Sequence, residues 1–267
     1  MPIRVPNYLP ALETLNAEQV DVMPQETAAR QDIRPLRLLL LNLMPKKRDT
    51  EIQFARLFGN TPLQVDMILM TTASYTPRNT KAGYLRRFYR QLDDVRDDYF
   101  DALIVTGAPI ETLPFDEVAY WQELTEIMDW SRSHCFRRLG ICWGAQALLW
   151  HFFKVPKHQL EAKLFGVYDH RLAPVSGRLM HGFTDRFPMP ISRYTMNRTD
   201  DIKAAGLDVL ADGVDCGAGM VRDPKSGDLF VFNHLEYDAT TLADEYHRDV
   251  AEGLATVMPE NYFPDDD

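Results

Sequence analysis

The chain has 267 residues, 45% of them hydrophobic and 25% charged, enough for a sizeable core and ordinary for a globular protein of one large or two modest domains. A net charge of −10 without any Lys/Arg block argues against a nucleic-acid or anionic-membrane surface, although local basic pockets remain compatible with it. The three cysteines (Cys135, Cys142 and Cys216) are odd in number and not in metal-ligand spacing, so they read as reduced thiols of a cytoplasmic protein; no signal peptide follows Met1, and no apolar run is long enough to span a bilayer.

Residues 1–34, punctuated by Pro2, Pro6, Pro10 and Pro24, read as an N-terminal arm, and residues 35–267 as a single domain with no repeat or linker. Leu36 to Leu43 is a nearly continuous apolar run, the pattern of a strand buried on both faces of a parallel sheet. Asp49 or Thr50 then caps a helix that stops at Gly59-Asn60. Leu63 to Met70 is a second strand, Tyr84 to Val95 a charged amphipathic helix, and Phe100 to Gly107 a third strand running into Ala108-Pro109-Ile110-Glu111. From Phe115 to Ser131, Val118, Trp121, Leu124, Ile127 and Met128 recur at helical spacing. A fourth strand, Cys135 to Ile141, follows.

This alternation predicts an α/β fold with a doubly wound, mostly parallel sheet. In such folds the site gathers at the carboxyl ends of the strands, so Asn42 to Lys47, Thr106 to Glu111 and Cys142 are expected around one crevice. After Phe153 the pattern loosens into a smaller mixed β region: strands at Lys163 to His170 and around Ser192, then a hairpin over 214–233 that turns at Asp223-Pro224-Lys225-Ser226-Gly227. Asp238 caps a helix from Thr240 to about Leu254, and the tail from Asn261 on is expected to be loosely held.

The informative stretch is Gly140-Ile141-Cys142-Trp143-Gly144, a Gly-x-Cys-x-Gly turn between a strand and an apolar helix. That is the grammar of a nucleophile elbow. The helix N-terminus behind Cys142 favours a thiolate, and the amide of Trp143 is placed to donate to an oxyanion. A thiol nucleophile needs a base. Of seven histidines, His234 follows the apolar run Leu229 to Asn233, and Glu236 stands two residues on, on the same side of an extended segment. His151 and His158 read as packing or surface residues and His247 as solvent-facing; no zinc-type spacing or phosphate-cradling glycine loop is present.

Gly-x-Cys-x-Gly followed far downstream by His-x-Glu resembles class I glutamine amidotransferases, which implies their three-layer, flavodoxin-like fold. More narrowly, Leu41-Asn42-Leu43-Met44-Pro45-Lys46-Lys47, Asn60-Thr61-Pro62-Leu63-Gln64, Thr106-Gly107-Ala108-Pro109, Cys142-Trp143-Gly144-Ala145-Gln146 and His234-Leu235-Glu236-Tyr237-Asp238 resemble the MetA-type homoserine O-acyltransferases collinearly, from residue 1 to about Phe263. The resemblance implies Cys142 as the acyl-accepting nucleophile, His234 as base, Glu236 as its partner, Lys163 and Ser192 as substrate-binding residues and Arg248 as the clamp on the amino acid's carboxylate. It also implies a ping-pong acyl-cysteine mechanism, no bound cofactor and no metal, an acyl-CoA co-substrate, small-molecule partners only, and a homodimer.

Glu111 stands where the family distinguishes donors: glutamate goes with acetyl-CoA, glycine with succinyl-CoA. A carboxylate there repels a succinyl carboxylate, so acetyl-CoA is expected. Three departures fall near the expected acceptor pocket: an end at Asp267 where the family continues, Ile191 in place of a histidine, and Asn233 and Leu235 beside the catalytic histidine. They bring L-serine in beside L-homoserine as acceptor, since one methylene is worth only about 1–3 kcal/mol in a pocket. The product would serve methionine or cysteine biosynthesis accordingly. Alternatives are succinyl-CoA as donor, a glutaminase-type amidotransferase, and a binding protein without activity.

Overall fold

Burial decides where the apolar runs go. In the computed structural model, which describes residues 3–20, 22–28, 34–75, 77 and 79–264, Leu39, Leu40 and Leu41 are fully buried and their run forms the middle of a parallel sheet. Two units organise the chain: residues 1–109 with 115–138, and residues 110–114 with 139–267.

In the first unit the order is β1 (Ile3–Val5), α1 (Ala11–Ala17), β2 (Val22–Pro24), α2 (Gln25–Ala28), β3 (Leu36–Leu41), α3 (Lys47–Gly59) and β4 (Val65–Met70). Then come α4 (Ala82–Phe88), β5 (Tyr89–Arg90), α5 (Leu92–Val95), β6 (Phe100–Val105), α6 (Trp121–His134) and the first residues of β7 (Cys135–Ile141). Strands pair in the order β2, β1, β4, β3, β6, all parallel, and β5 adds to the later half of β4. Two expected helices change shape. The helix expected over 84–95 stops at Phe88, because the Tyr89 hydroxyl is buried and bonded to Glu51 at 2.5 Å, which holds Tyr89 and Arg90 beside β4. A capping box at Gln91 and Asp94 restarts the helix as α5. Further on, residues 115–117 form a 3₁₀ turn, and the regular helix begins only at Trp121.

The second unit carries the end of β7, α7 (Trp143–Phe153), β8 (His158–Leu172), β9 (Arg186–Met196), α8 (Thr199–Ala204), β10 (Asp208–Gly213), β11 (Gly217–Arg222), β12 (Leu229–Val231) and α9 (Thr241–Ala251). Residues 139–141 of β7 pair in parallel with β12, after which β12, β11, β10, β8 and β9 are antiparallel neighbours. The α/β class and its mixed C-terminal β region are thus as expected. The tail is not: Glu260 bonds through its N–H to Phe165 and through its carbonyl to the Val167 N–H, at 3.0 and 2.9 Å. Gly166 permits that approach, since a Cβ there would lie 2.4 Å from the Glu260 carbonyl oxygen. The Tyr262 hydroxyl donates to the Ala239 carbonyl, and Phe263 meets the Tyr246 ring at 6.3 Å, so the loosely held tail predicted from Asn261 is corrected; residues 265–267 lie outside the described residues. Among the described residues no helix is long and apolar enough to cross a membrane.

Candidate active site

The register of two neighbouring strands brings the thiol and the imidazole together. Leu139, Gly140 and Ile141 of β7 face Leu229, Phe230 and Val231 of β12 in parallel, so both strands release their next residues at the same end. Cys142 follows Ile141 directly and donates its N–H to the Val231 carbonyl at 2.7 Å; His234 comes three residues after Val231. Its own N–H donates to the Pro190 carbonyl on β9 at 2.9 Å, which turns the segment out of the sheet.

Cys142 sits at φ 50° and ψ −117°, a conformation that L residues rarely adopt, and it is the N-cap of α7. The strain survives because its carbonyl accepts from the Ala145 and Gln146 N–H groups, at 3.1 and 3.2 Å, and the elbow is closed over Gly140. A Cβ on Gly140 would stand 2.5 Å from the Ala145 Cα and 2.7 Å from its nitrogen. Trp143 is the first residue of α7, directly after Cys142.

His234 Nδ1 lies 2.7 Å from Glu236 Oε1, and both side chains are buried. That contact assigns Nε2 to the sulfur side, where the Cys142 side chain completes a hydrogen bond with the ring. Burial by itself would lower the imidazole's pKa. The charges of Glu236 and Cys142 and the hydrogen bonds to both outweigh it and hold His234 well above its ordinary value of 6.5. Tyr237 stacks on the imidazole with ring centroids 4.1 Å apart. Burial and then the Glu245 and Glu236 carboxylates keep its phenol protonated, so it donates to Glu245 Oε1 at 3.2 Å.

A second cluster is strung along one face of α9, where Glu245, Arg248 and Asp249 recur at helical spacing. The Glu245 carboxylate accepts from the Ser192 hydroxyl at 2.6 Å, and Lys163 Nζ stands 3.6 Å from it and 3.3 Å from Asp249. Only 7% of the Lys163 side chain is exposed, so this is no surface charge. Arg248, with 46% of its side chain exposed, holds Asp249 Oδ1 through Nε and Nη2 at 2.9 and 2.5 Å and keeps the rest of its fork open to solvent. Glu111 joins this group from residues 110–114. Burial raises its carboxyl pKa, and a hydrogen bond with the Tyr194 backbone and the charges of Lys157 and Lys163 pull it back. Lys157 Nζ anchors the same segment through the Glu111 and Leu113 carbonyls.

Cys142, His234 and Glu236 therefore meet, Lys163, Ser192 and Arg248 share the carboxylates of α9, and Glu111 reaches β9 one residue beyond Arg193. Within the first unit, the Leu43 N–H donates to the Thr106 hydroxyl at 2.8 Å. Ile191 packs on Tyr168 and Cys216, and the Asn233 amide lies between Arg193 and His170. Sequence reasoning passed over Glu245, Tyr237 and Arg193. The available signals were Glu245 three residues before Arg248 on a helix, and Tyr237 adjoining the His-x-Glu segment; a fully buried arginine in β9 left no signal in the local pattern. As expected, His247 is exposed. Among the described residues no three His, Cys, Asp or Glu side chains are grouped so as to hold a metal.

Comparison with known proteins shows the family and the fold. The family described as homoserine O-succinyltransferase matches residues 2–267. A homoserine O-acetyltransferase of Cereibacter sphaeroides is 51% identical over 100% of this chain and 88% of its own length; those of Novosphingobium aromaticivorans and Brevibacillus brevis are 50% and 48% identical, again over 100% of this chain and 88% of theirs. Among solved structures, a glutamine amidotransferase from Thermotoga maritima superposes with a TM-score of 0.58 at 12% identity, over 83% of this chain and 86% of its own. A glutamine amidotransferase from Methylobacillus flagellatus gives 0.53 at 12% identity, over 87% and 82%; at such identities the likeness shows the shared class I amidotransferase fold.

Proposed function

Since the chain belongs to the homoserine O-succinyltransferase family, we propose that it is an acetyl-CoA-dependent acyltransferase that acylates the side-chain hydroxyl of L-homoserine, in methionine biosynthesis, through an acyl-cysteine at Cys142. The observation that carries the reading is the chain of contacts from the half-buried Cys142 to the buried His234 and Glu236 at the joint end of β7 and β12.

Glu236 and Cys142 both favour the imidazolium form of His234, and the reacting form of the sulfur is the thiolate. The sulfur attacks the thioester carbonyl while the Trp143 amide faces the oxyanion, and coenzyme A leaves as a thiolate that takes the proton from His234 Nε2. One thioester replaces another, so the step is close to isoenergetic. Acylation removes the negative charge on Cys142 that helped to hold the proton on His234, leaving a neutral imidazole poised as a base. His234 then takes the acceptor's hydroxyl proton as the oxygen attacks the acyl carbon, and collapse of the intermediate returns the thiolate and the imidazolium. Two half-reactions share one sulfur, hence ping-pong kinetics.

Arg248 suits the acceptor's carboxylate by its open fork, and Lys163 and Ser192 shape the same region. Glu111 supports acetyl over succinyl, because a second carboxylate beside it would be buried against like charge. The activity named for the similar proteins, homoserine O-acetylation, supports homoserine over serine. Release of coenzyme A, measured with acetyl-CoA and succinyl-CoA against L-homoserine and L-serine, tests the reading beside a Cys142→Ala control. The expected ranking by kcat/KM puts acetyl-CoA with homoserine first; turnover that survives in Cys142→Ala would overturn the mechanism, and preferred use of serine would overturn the acceptor.

A further inference from the structure

Arg193 is buried to 3% exposure inside the second unit, and its hydrogen bonds converge on the chain that carries His234. Nη1 donates to the Asn233 side-chain oxygen at 2.7 Å and to the Phe232 carbonyl at 3.3 Å, and Nη2 to the Cys216 carbonyl at 2.6 Å. Phe232 and Asn233 are the two residues immediately before the base. The other half of the Asn233 amide donates to His170 Nε2 at 2.9 Å, and Cys216 Sγ lies 3.2 Å from the same nitrogen. His170 Nδ1 must itself be a donor, because its partner at 2.9 Å is the Tyr168 carbonyl. Both ring nitrogens are therefore satisfied in a neutral imidazole, and the orientation of Asn233 follows: oxygen to the guanidinium, nitrogen to the ring.

A buried guanidinium is expensive to keep unless anions or aligned dipoles surround it. Among the described residues no carboxylate is bonded to Arg193; its hydrogen-bond acceptors are two carbonyls and an amide oxygen, and Cys142 is foremost among the groups whose negative charge supports its cationic form. Resting on the acyl-cysteine reading above, we propose that Arg193 is a positioning residue for the thiol–imidazole pair: it clamps the last two residues before His234 and adds a permanent positive charge to the field felt by the Cys142 thiol. The charge lies on the inner face of β9, while Ser192, its neighbour in the strand, turns to the Glu245 carboxylate. One strand thus presents an acceptor-side group outward and an electrostatic support inward.

The test is the pH dependence of Cys142 alkylation by iodoacetamide, read on the Cys142 peptide of the full chain, together with kcat for coenzyme A release and a thermal melt. The Cys142 charge acts on His234, Tyr237 and Arg193, and substitution of Arg193 alone isolates its share. Arg193→Met should move the alkylation midpoint up by about one pH unit or more, as expected for loss of a nearby opposite charge. Arg193→Lys keeps the charge and loses the fork; its midpoint should stay within about half a unit of wild type while kcat falls at least about tenfold. A wild-type midpoint in Arg193→Met, a wild-type kcat in Arg193→Lys, or a cooperative melt in neither variant would overturn the proposal, the last by making the residue a scaffold element only. Alkylation needs no acyl donor. A wild-type protein that acquires no acetyl group from acetyl-CoA, but whose midpoint still moves with Arg193, would sink the acyltransferase reading and leave this one standing.

Discussion

Replacing Glu236 by Gln removes one charge and almost no volume from a contact of 2.7 Å between two buried groups. A charge-assisted hydrogen bond of this kind is worth about 1.5–3 kcal/mol, which sets a floor of roughly tenfold in rate. The amide also offers Nδ1 a donor where it needs an acceptor, favouring the wrong tautomer; the same change in a serine–histidine–aspartate triad lowers kcat by about 10⁴. The loss expected for Glu236→Gln is therefore between about 10² and 10⁴ in kcat/KM, or about 2.7–5.5 kcal/mol. The pH profile carries a second signature. Glu236 helps to raise His234, so its loss lets the imidazole deprotonate at lower pH, and the acid limb of acyl transfer to the hydroxyl should move downward while the plateau falls. Coenzyme A release from acetyl-CoA and homoserine between pH 5.5 and 9, with a melting curve for each protein, reads both. Activity within threefold of wild type in a normally folded Glu236→Gln, or an unmoved acid limb, would refute the claim that this carboxylate holds the base.

Glu111→Gly should raise kcat/KM for succinyl-CoA at least about tenfold and alter that for acetyl-CoA less, because it removes the like charge that a succinyl carboxylate would meet; competition between the two donors, read by product mass, decides this. Arg248→Ala should raise KM for the amino acid by about 10- to 100-fold, the worth of a charge-assisted contact, and leave acetylation of Cys142 without acceptor unchanged, as followed by intact-protein mass spectrometry. Gly140→Ala drives a Cβ into the Ala145 backbone and should destabilise the fold by about 2 kcal/mol or more in urea denaturation; an unchanged midpoint would contradict the close approach. His234 is raised in the fold, so the stability it contributes is complete below its unfolded value of 6.5 and is lost as pH rises through the folded value. Denaturation midpoints should fall across that window in the wild type and fall less in His234→Gln.

What was legible in the sequence is what local chemistry can encode. Apolar runs such as Leu36 to Leu41 can only be buried strands, and two glycines around Cys142 only make sense where backbones nearly touch, a need the Gly140 contact shows directly. The His-x-Glu pair was readable for the same reason, because residues two apart in an extended segment share a side. The tertiary structure decided what depends on partners distant in the chain. Tyr89 breaks the helix expected over 84–95 because Glu51, 38 residues earlier, holds its hydroxyl, and the tail stays ordered because Glu260 finds the edge of β8 at a glycine. Ile191 and Asn233 adjoin Ser192 and His234 in sequence, and only the tertiary structure gave them their partners: Tyr168 and Cys216 for Ile191, Arg193 and His170 for Asn233. Arg193 itself could not be found from its neighbours in sequence. A charge becomes an electrostatic support only when folding surrounds it with the carbonyls of Phe232 and Cys216 and the amide of Asn233, and those lie just outside β11 and β12, 23 to 40 residues away.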